Sequence, residues 1–163
     1  MTDAERSILV VVHARRDDTV AAAQRVVTAL RTAGARPVLS ADDREELGDA
    51  LSSLGPVHTL GVDVPVDEIE LAIVLGGDGT ILRAAELVRE GTAPVLGINM
   101  GHVGFLAEIE RDDMDDAVSR AIARDYRVEE RLALQVRVKV AADRVIYDTW
   151  ALNEATVEKA SRE

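Results

Sequence analysis

Two uninterrupted runs of apolar residues constrain the fold of this chain more than any other feature. Residues 7–13 (SILVVVH) and 71–75 (LAIVL) are short, rich in β-branched side chains and free of polar alternation. Such runs are typical of strands buried on both faces of a parallel sheet. Apolar residues recur at helical spacing over residues 17–34 and again after Thr80, so a helix is predicted to follow each strand.

The same alternation continues along the first three quarters of the chain. Residues 36–40 and 94–99 (PVLGIN) are predicted strands, and residues 42–54 a helix that ends before Gly55-Pro56. An aspartate-capped amphipathic helix is predicted from Met114, Ala117, Val118, Ala121 and Ile122. Residues 57–70 show no clear pattern. The β-α alternation predicts an α/β domain with a parallel sheet over residues 1–126.

A different pattern begins near Arg127. Alternate residues are apolar over 132–140, residues 141–144 form a predicted turn, and residues 145–152 return as a second strand. This is the period of an antiparallel hairpin. Two strands do not bury an apolar face on their own, so we expect residues 127–163 to be the first strands of a truncated, β-rich second domain.

Composition excludes several classes of function. The chain has 163 residues, a net charge of −11, 2% aromatic residues and no cysteine. A basic surface with aromatic stacking platforms is absent, which argues against nucleic-acid binding, and a disulfide framework or thiolate zinc site is excluded. No apolar run reaches the length of a membrane span, and the acidic amino terminus is unlike a secretory signal. We expect a cytoplasmic protein that does not bind membranes.

The most specific motif is Gly76-Gly77-Asp78-Gly79-Thr80, between a buried strand and a helix. Glycines are expected to adopt positive φ here and to let backbone amides approach a ligand, and a helix amino end favours phosphate. A carboxylate inside a phosphate site is unfavourable unless it holds a metal or takes a proton from a hydroxyl. The alternative is a tight turn in which Asp78 or Thr80 only caps the helix.

Three further segments are weaker candidates. The loop that begins at Asn99 and contains Phe105 also follows a strand, so it should lie beside the first turn, although Phe105 is equally well explained as core. Arg83 lies one turn into the helix. Its guanidinium could reach the phosphate oxygens of a ligand, and the alternative is an ordinary exposed helix arginine. Asn153-Glu154 pairs an amide with a carboxylate, as a nucleoside requires, but a polar strand end is the commoner explanation.

Three blocks, in their order and spacing, resemble NAD kinases. They are Gly76-Gly77-Asp78-Gly79-Thr80, the segment 94–99 continuing into 101–106 (GHVGFL), and Ala151-Leu152-Asn153-Glu154. The resemblance extends from the first strand to Glu163. Diacylglycerol-type lipid kinases and 6-phosphofructokinases carry turns like the first block, and the other two blocks separate this chain from them.

The resemblance implies a Rossmann-like, phosphofructokinase-like nucleotide-binding domain over residues 1–126. It also implies transfer of the terminal phosphoryl group of ATP, or of inorganic polyphosphate, to the 2′-hydroxyl of the adenosine ribose of NAD. A divalent cation, normally Mg²⁺, and a homodimer or homotetramer are implied as well.

The family's motifs also imply roles for individual residues. Asp78 matches the aspartate that contacts the nicotinamide nucleotide and is the proposed base. The remaining nucleotide-binding candidates are Gly76, Gly77, Gly79, Thr80, Arg83, Asn99, Phe105 (adenine pocket), Asn153 and Glu154 (adenosine).

One departure from the family is clear. Its second glycine-rich block, with threonine, proline, glycine and serine, has no match in this sequence. We therefore expect the 163 residues alone to be catalytically inactive. The alternatives to a kinase are a non-catalytic nucleotide-binding or regulatory module and, with less support, a diacylglycerol-type lipid kinase.

Overall fold

The apolar runs of the sequence form the centre of a parallel sheet. In the computed structural model, which describes residues 5–13, 17–101, 106–107, 109–140, 144–152, 154–156 and 158, this sheet has six strands. The strands are β1 Ser7–Val12, β2 Arg36–Leu39, β3 His58–Thr59, β4 Ile69–Leu75, β5 Val95–Asn99 and β6 Ile109–Glu110. The helices are α1 Asp17–Thr32, α2 Ala41–Leu47, α3 Asp78–Leu87 and α4 Met114–Ile122. Short 3₁₀ segments lie at Gly48–Leu54, Val66–Glu68 and Arg111–Asp113.

The strand order is β3-β2-β1-β4-β5-β6, and every neighbouring pair is parallel. This is the order of Rossmann-type sheets, so the predicted α/β fold class is confirmed. The chain runs outward from β1 in one direction and then outward from β4 in the other. Val12 is level with Leu75, and Leu75 with Ile98, so the carboxyl ends of β1, β4 and β5 meet at one edge.

Two apolar cores cover the two faces of the sheet. Alternate residues of β1 point to opposite faces: Ile8, Val10 and Val12 pack in one core with α1 and α4. Leu9 and Val11 pack in the other core with α3. All six residues of β1 are buried, which explains why its sequence lacks polar alternation. None of the helices in the described ranges combines the length and apolar content that crossing a bilayer requires.

Two local expectations need correction, and one segment without a clear pattern receives its assignment. The helix predicted over residues 42–54 is interrupted at Gly48, where φ is +41°, and continues only as a 3₁₀ segment. Residues 57–70, without a clear pattern in the sequence, contain β3 and the start of β4. Asp113 precedes α4 but makes no side-chain capping bond, because the 3₁₀ turn Arg111–Asp113 leads directly into the helix.

The chain separates into two compact units, Met1–Tyr126 and Arg127–Glu163. The second unit contains an antiparallel pair, β7 Leu134–Val140 and β8 Arg144–Ala151, with a register shift after Val138. Val138 and Tyr147 are opposite each other and both are exposed, as expected of two strands alone. That this hairpin begins a larger β-rich domain stays a prediction.

A carboxylate at the amino-terminal edge of the sheet joins three elements of the first unit. Glu70 of β4 accepts hydrogen bonds from Arg6, at 2.6 and 2.9 Å, and from Arg124, at 2.7 and 3.0 Å. Arg6 also donates to the carbonyl of Ile122, at 2.6 Å, at the end of α4. The bonds from Arg124 and Arg6 lower the pKa of Glu70 to about 2. This cluster fixes the end of α4 against β1 and β4.

We predict that Glu70→Gln lowers the free energy of unfolding at pH 7 by roughly 1–2 kcal/mol, because two charge-assisted contacts are lost from a partly exposed site. A lowered pKa means that the stabilisation is complete above the ordinary value of 4.5 and is lost as pH falls toward about 2. The difference between wild type and variant should therefore shrink over that range. Urea titrations at several pH values measure it, with Glu45→Gln on the exposed face of α2 as the control. A difference that does not depend on pH contradicts the assignment.

Candidate functional site

The two glycine-containing turns predicted from the sequence lie at the same edge of the sheet. β4 leads into Gly76-Gly77 and α3, and β5 leads into Met100-Gly101. The Gly76 amide donates to the carbonyl of Ile98 at 3.1 Å, so the turn begins in register with β5. In open parallel sheets, ligands bind at this edge, in the crevice where the strand order reverses, which here lies between β1 and β4.

Of the three glycines of the turn, Gly76 is required for space, and none is required for a positive φ. The expected positive φ is wrong: Gly76, Gly77 and Gly79 are not among the positive-φ glycines, and Gly77 is extended at φ −98° and ψ −167°. A Cβ added at Gly76 would overlap the Thr80 hydroxyl and lie 2.8 Å from its Cβ. A Cβ at Gly77 or Gly79 would meet no atom within 4 Å, so the fold leaves the backbone there open to a ligand.

Asp78 is the first residue of α3 and does not cap it. The N-cap is Gly77, so the capping alternative for Asp78 and Thr80 is wrong. The Asp78 carboxylate instead accepts a hydrogen bond from the Leu106 amide, at 3.0 Å between N and Oδ1. Leu106 follows the second predicted loop, so this bond brings both turns together at one carboxylate. Asp78 is half-buried and stands at the helix amino end, where negative charge is favoured.

Asn99 holds the start of the second turn. It is 5% exposed at the end of β5, and its Oδ1 accepts from the Gly101 amide at 3.1 Å. Its Nδ2 donates to the Glu110 carboxylate on β6, 3.4 Å from each oxygen. Glu110 was not a candidate in the sequence, because β6 has two residues and no detectable period. Asn99 therefore joins the ends of two strands, and its role toward a nucleotide stays a prediction.

Arg83 makes contacts that the sequence did not indicate. Its Nη2 donates to Asp43 Oδ1 at 2.6 Å and to the Val12 carbonyl at 2.7 Å. Asp43 is fully buried and its Oδ2 accepts from the Ser40 hydroxyl at 2.8 Å. Burial raises the pKa of Asp43, although bonds from Arg83 and Ser40 oppose the rise. The spacing Ser40-x-x-Asp43 is a capping signal that could have been found in the sequence, but nothing there predicts the pairing with Arg83.

The remaining predicted residues are not tested by this geometry. Phe105 and Asn153 lie outside the described residues. Glu154 is exposed in the second unit. Within the described ranges no three histidine or acidic residues are grouped to hold a metal ion.

A Rossmann-order sheet with a glycine turn, an open helix amino end and a carboxylate at the strand reversal defines the class of α/β domains that bind phosphorylated nucleotides. Comparison with known proteins gives the family. The family described as the ATP-NAD kinase N-terminal domain matches residues 8–126. The chain belongs to this family, as its three sequence blocks predicted.

Curated relatives agree with this assignment. The NAD kinase of Leifsonia xyli subsp. xyli is 59% identical over 160 residues, which are 98% of this chain and 52% of the relative. The NAD kinase of Mycobacterium leprae is 45% identical over 98% of this chain and 53% of the relative. The chain thus spans about half the length of the curated relatives it matches.

The crystal structure of yeast NADH kinase complexed with NADH has the same fold. Its TM-score is 0.75 at 20% sequence identity, and the match covers 93% of this chain and 48% of the yeast chain. The predicted parallel-sheet architecture is therefore shared with a solved member of the kinase class.

We predict opposite effects for two glycines of the turn. Gly76→Ala should lower the free energy of unfolding by roughly 1–3 kcal/mol, because its Cβ overlaps Thr80. Gly79→Ala should raise it by roughly 0.5 kcal/mol, because alanine is the better helix former and the space is open. Gly79→Ala should nevertheless weaken the binding of a phosphate ligand, for which inorganic tripolyphosphate is the probe, by blocking close approach to the backbone. Urea denaturation measures the change in stability, and calorimetric titration measures the change in affinity. Unchanged affinity in a stabilised Gly79→Ala protein would show that the turn is not part of the ligand site.

Proposed function

We propose that this chain forms the nucleotide-binding part of an NAD kinase, which transfers the terminal phosphoryl group of ATP to the 2′-hydroxyl of the adenosine ribose of NAD. The observation that carries the proposal is the Asp78 carboxylate inside an open glycine turn at the strand reversal, held by the Leu106 amide. The names of the relatives support the reaction, since those that match nearly the whole chain are NAD kinases.

Phosphoryl transfer needs positioning and charge neutralisation more than it needs a strong base. The accessible backbone at Gly77 and Gly79 and the amino end of α3 supply donors to phosphate oxygens. The ribose 2′-oxygen attacks the terminal phosphorus in line with the leaving oxygen. The new O–P bond forms as the bond to the bridging oxygen breaks, and ADP leaves.

In this scheme Asp78 orients the attacking hydroxyl and accepts its proton. The Leu106 amide donates to Oδ1, which restrains the carboxylate against the second loop. An ordinary carboxylate suffices, because proton transfer in a loose transition state can follow the breaking of the P–O bond. The proton passes to solvent after NADP leaves.

The donor set suits Mg²⁺ carried by the nucleotide. Mg²⁺ usually keeps several waters and is held largely by substrate phosphates in such sites. Because the Asp78 oxygens are assigned to the Leu106 amide and to the attacking hydroxyl, the phosphates would hold the ion beside the glycine turn. Bound there, the ion would neutralise charge on the phosphates. The proposal also includes the use of Mg²⁺, the choice of ATP or polyphosphate as donor, and the adenosine contacts of Phe105, Asn153 and Glu154. It further includes a homodimer or homotetramer and a cytoplasmic location.

We predict that Asp78→Asn lowers the rate of NADP formation by a factor of at least about 100 while the fold is retained. The asparagine Oδ1 still accepts the Leu106 amide, so the change removes the charge and the proton acceptor but not the structural bond. The assay uses a chimera in which this chain replaces the matched half of the Leifsonia xyli relative, with NADP detected by an NADP-specific dehydrogenase.

The matched control is Asp42→Asn, an exposed aspartate in the first turn of α2, which should leave turnover unchanged. Full activity of a folded Asp78→Asn chimera would remove Asp78 from the mechanism. A wild-type chimera that binds NAD and ATP without turnover would instead favour the non-catalytic module.

A further inference from the structure

A buried ion pair lies at the carboxyl end of the central strands, outside the glycine turn. It consists of Asp43 at the start of α2 and Arg83 on α3, which are forty positions apart in the chain. Ser40 contributes two bonds to it: its hydroxyl donates to Asp43 Oδ2 and accepts from the Asp43 amide at 3.1 Å. The cluster therefore joins the end of β2 to the helix that carries Asp78.

The position of the guanidinium is fixed by a backbone contact. Arg83 Nη2 donates to the carbonyl of Val12, the last residue of β1. Val12 is level with Leu75, which directly precedes Gly76. The positive group is thus held at the strand reversal between β1 and β4, where an anionic ligand on the glycine turn would lie.

The pair is oriented with its negative end inward. The Asp43 side chain is 0% exposed, whereas the Arg83 side chain is 36% exposed. Both bonds use Nη2, and within the described part of the chain the Nε and Nη1 groups donate to no protein acceptor. Arginine has five N–H donors, so three of them remain for a ligand.

We propose that Asp43 is a positioning residue that holds Arg83 as a fixed cation for the phosphates of the nucleotide. This inference rests on the proposed function, because it assigns a phosphate contact to the same crevice. In a chain of net charge −11, an arginine fixed beside the turn places positive charge where a phosphate group would bind. Arginine also matches phosphate geometry through paired N–H groups, which lysine does not.

If the Asp43–Arg83 pair were only structural, the free energy of unfolding and the ligand affinity would change together in its variants. Removing one partner of a buried pair leaves an unpaired charge and is strongly destabilising, whereas removing both is often neutral. Arg83→Met should therefore destabilise the protein, and the double change Asp43→Asn with Arg83→Met should recover much of that stability. A structural role predicts that ligand affinity recovers with stability. Our proposal predicts that it does not.

The test measures binding of inorganic tripolyphosphate and of MgATP by calorimetry, and unfolding by urea, on the same 163-residue proteins. Loss of one charge-assisted contact should weaken tripolyphosphate binding by about 10- to 100-fold in both Arg83→Met and the double variant. Asp43→Asn alone should weaken it less, because the cation remains but is no longer held. The control is Arg120→Met, which removes an equally charged and salt-bridged arginine from α4 and should change binding little.

The outcomes separate this inference from the proposed function. Equal affinities of wild type and the double variant would overturn the role of Arg83, even if the wild-type chimera makes NADP. In that chimera, Arg83→Met should raise the KM for ATP more than it lowers kcat, and a loss confined to kcat would also contradict the proposal. Arg83-dependent binding without NADP formation would sustain the phosphate contact and refute the kinase. Absence of tripolyphosphate and MgATP binding by the wild-type chain would overturn this inference, whereas the proposed function is overturned only if the wild-type chimera makes no NADP.

Discussion

The burial of β1 and β4 side by side is the constraint on which the site depends. Both strands are apolar on both faces, so each needs a neighbour on either side and helices above and below. Once they pair, the chain must leave β1 toward one edge of the sheet and β4 toward the other. A crevice at their carboxyl ends follows from that topology. The glycine turn lies in it because it directly follows β4.

Polar groups at the strand ends then convert the crevice into a site. The Asp78 carboxylate meets the Leu106 amide, Asn99 meets Glu110, and Arg83 meets the carbonyl of Val12. Each contact joins elements that are distant in sequence, and among the described residues no buried side-chain polar atom lacks a partner. These contacts hold the turns that border the crevice in one arrangement.

The sequence predicts the features that arise from local patterns, and misses those that arise from packing. Fully apolar runs identify β1 and β4, and the glycines identify the turn before α3, because each signal is complete within a few residues. β3 and β6 have two residues each and show no period. The close approach of Gly76 to Thr80 and its hydrogen bond to Ile98 are tertiary contacts, which composition does not encode. The pairing of Asp43 with Arg83 requires the fold itself.

The arginine–carboxylate clusters at Glu70 and at Asp43 show how one kind of interaction serves different ends. At Glu70, hydrogen bonds from two arginines outweigh the cost of burial and lower the pKa to about 2, so ionisation stabilises the fold. At Asp43, burial outweighs the bonds from Arg83 and Ser40 and raises the pKa. The folded state then holds that proton more tightly than the unfolded state does, so stability falls as pH rises and Asp43 ionises. A charge that the fold opposes is a poor source of stability. Its value lies in what it positions, an arginine at the end of β1 beside the turn that carries Asp78.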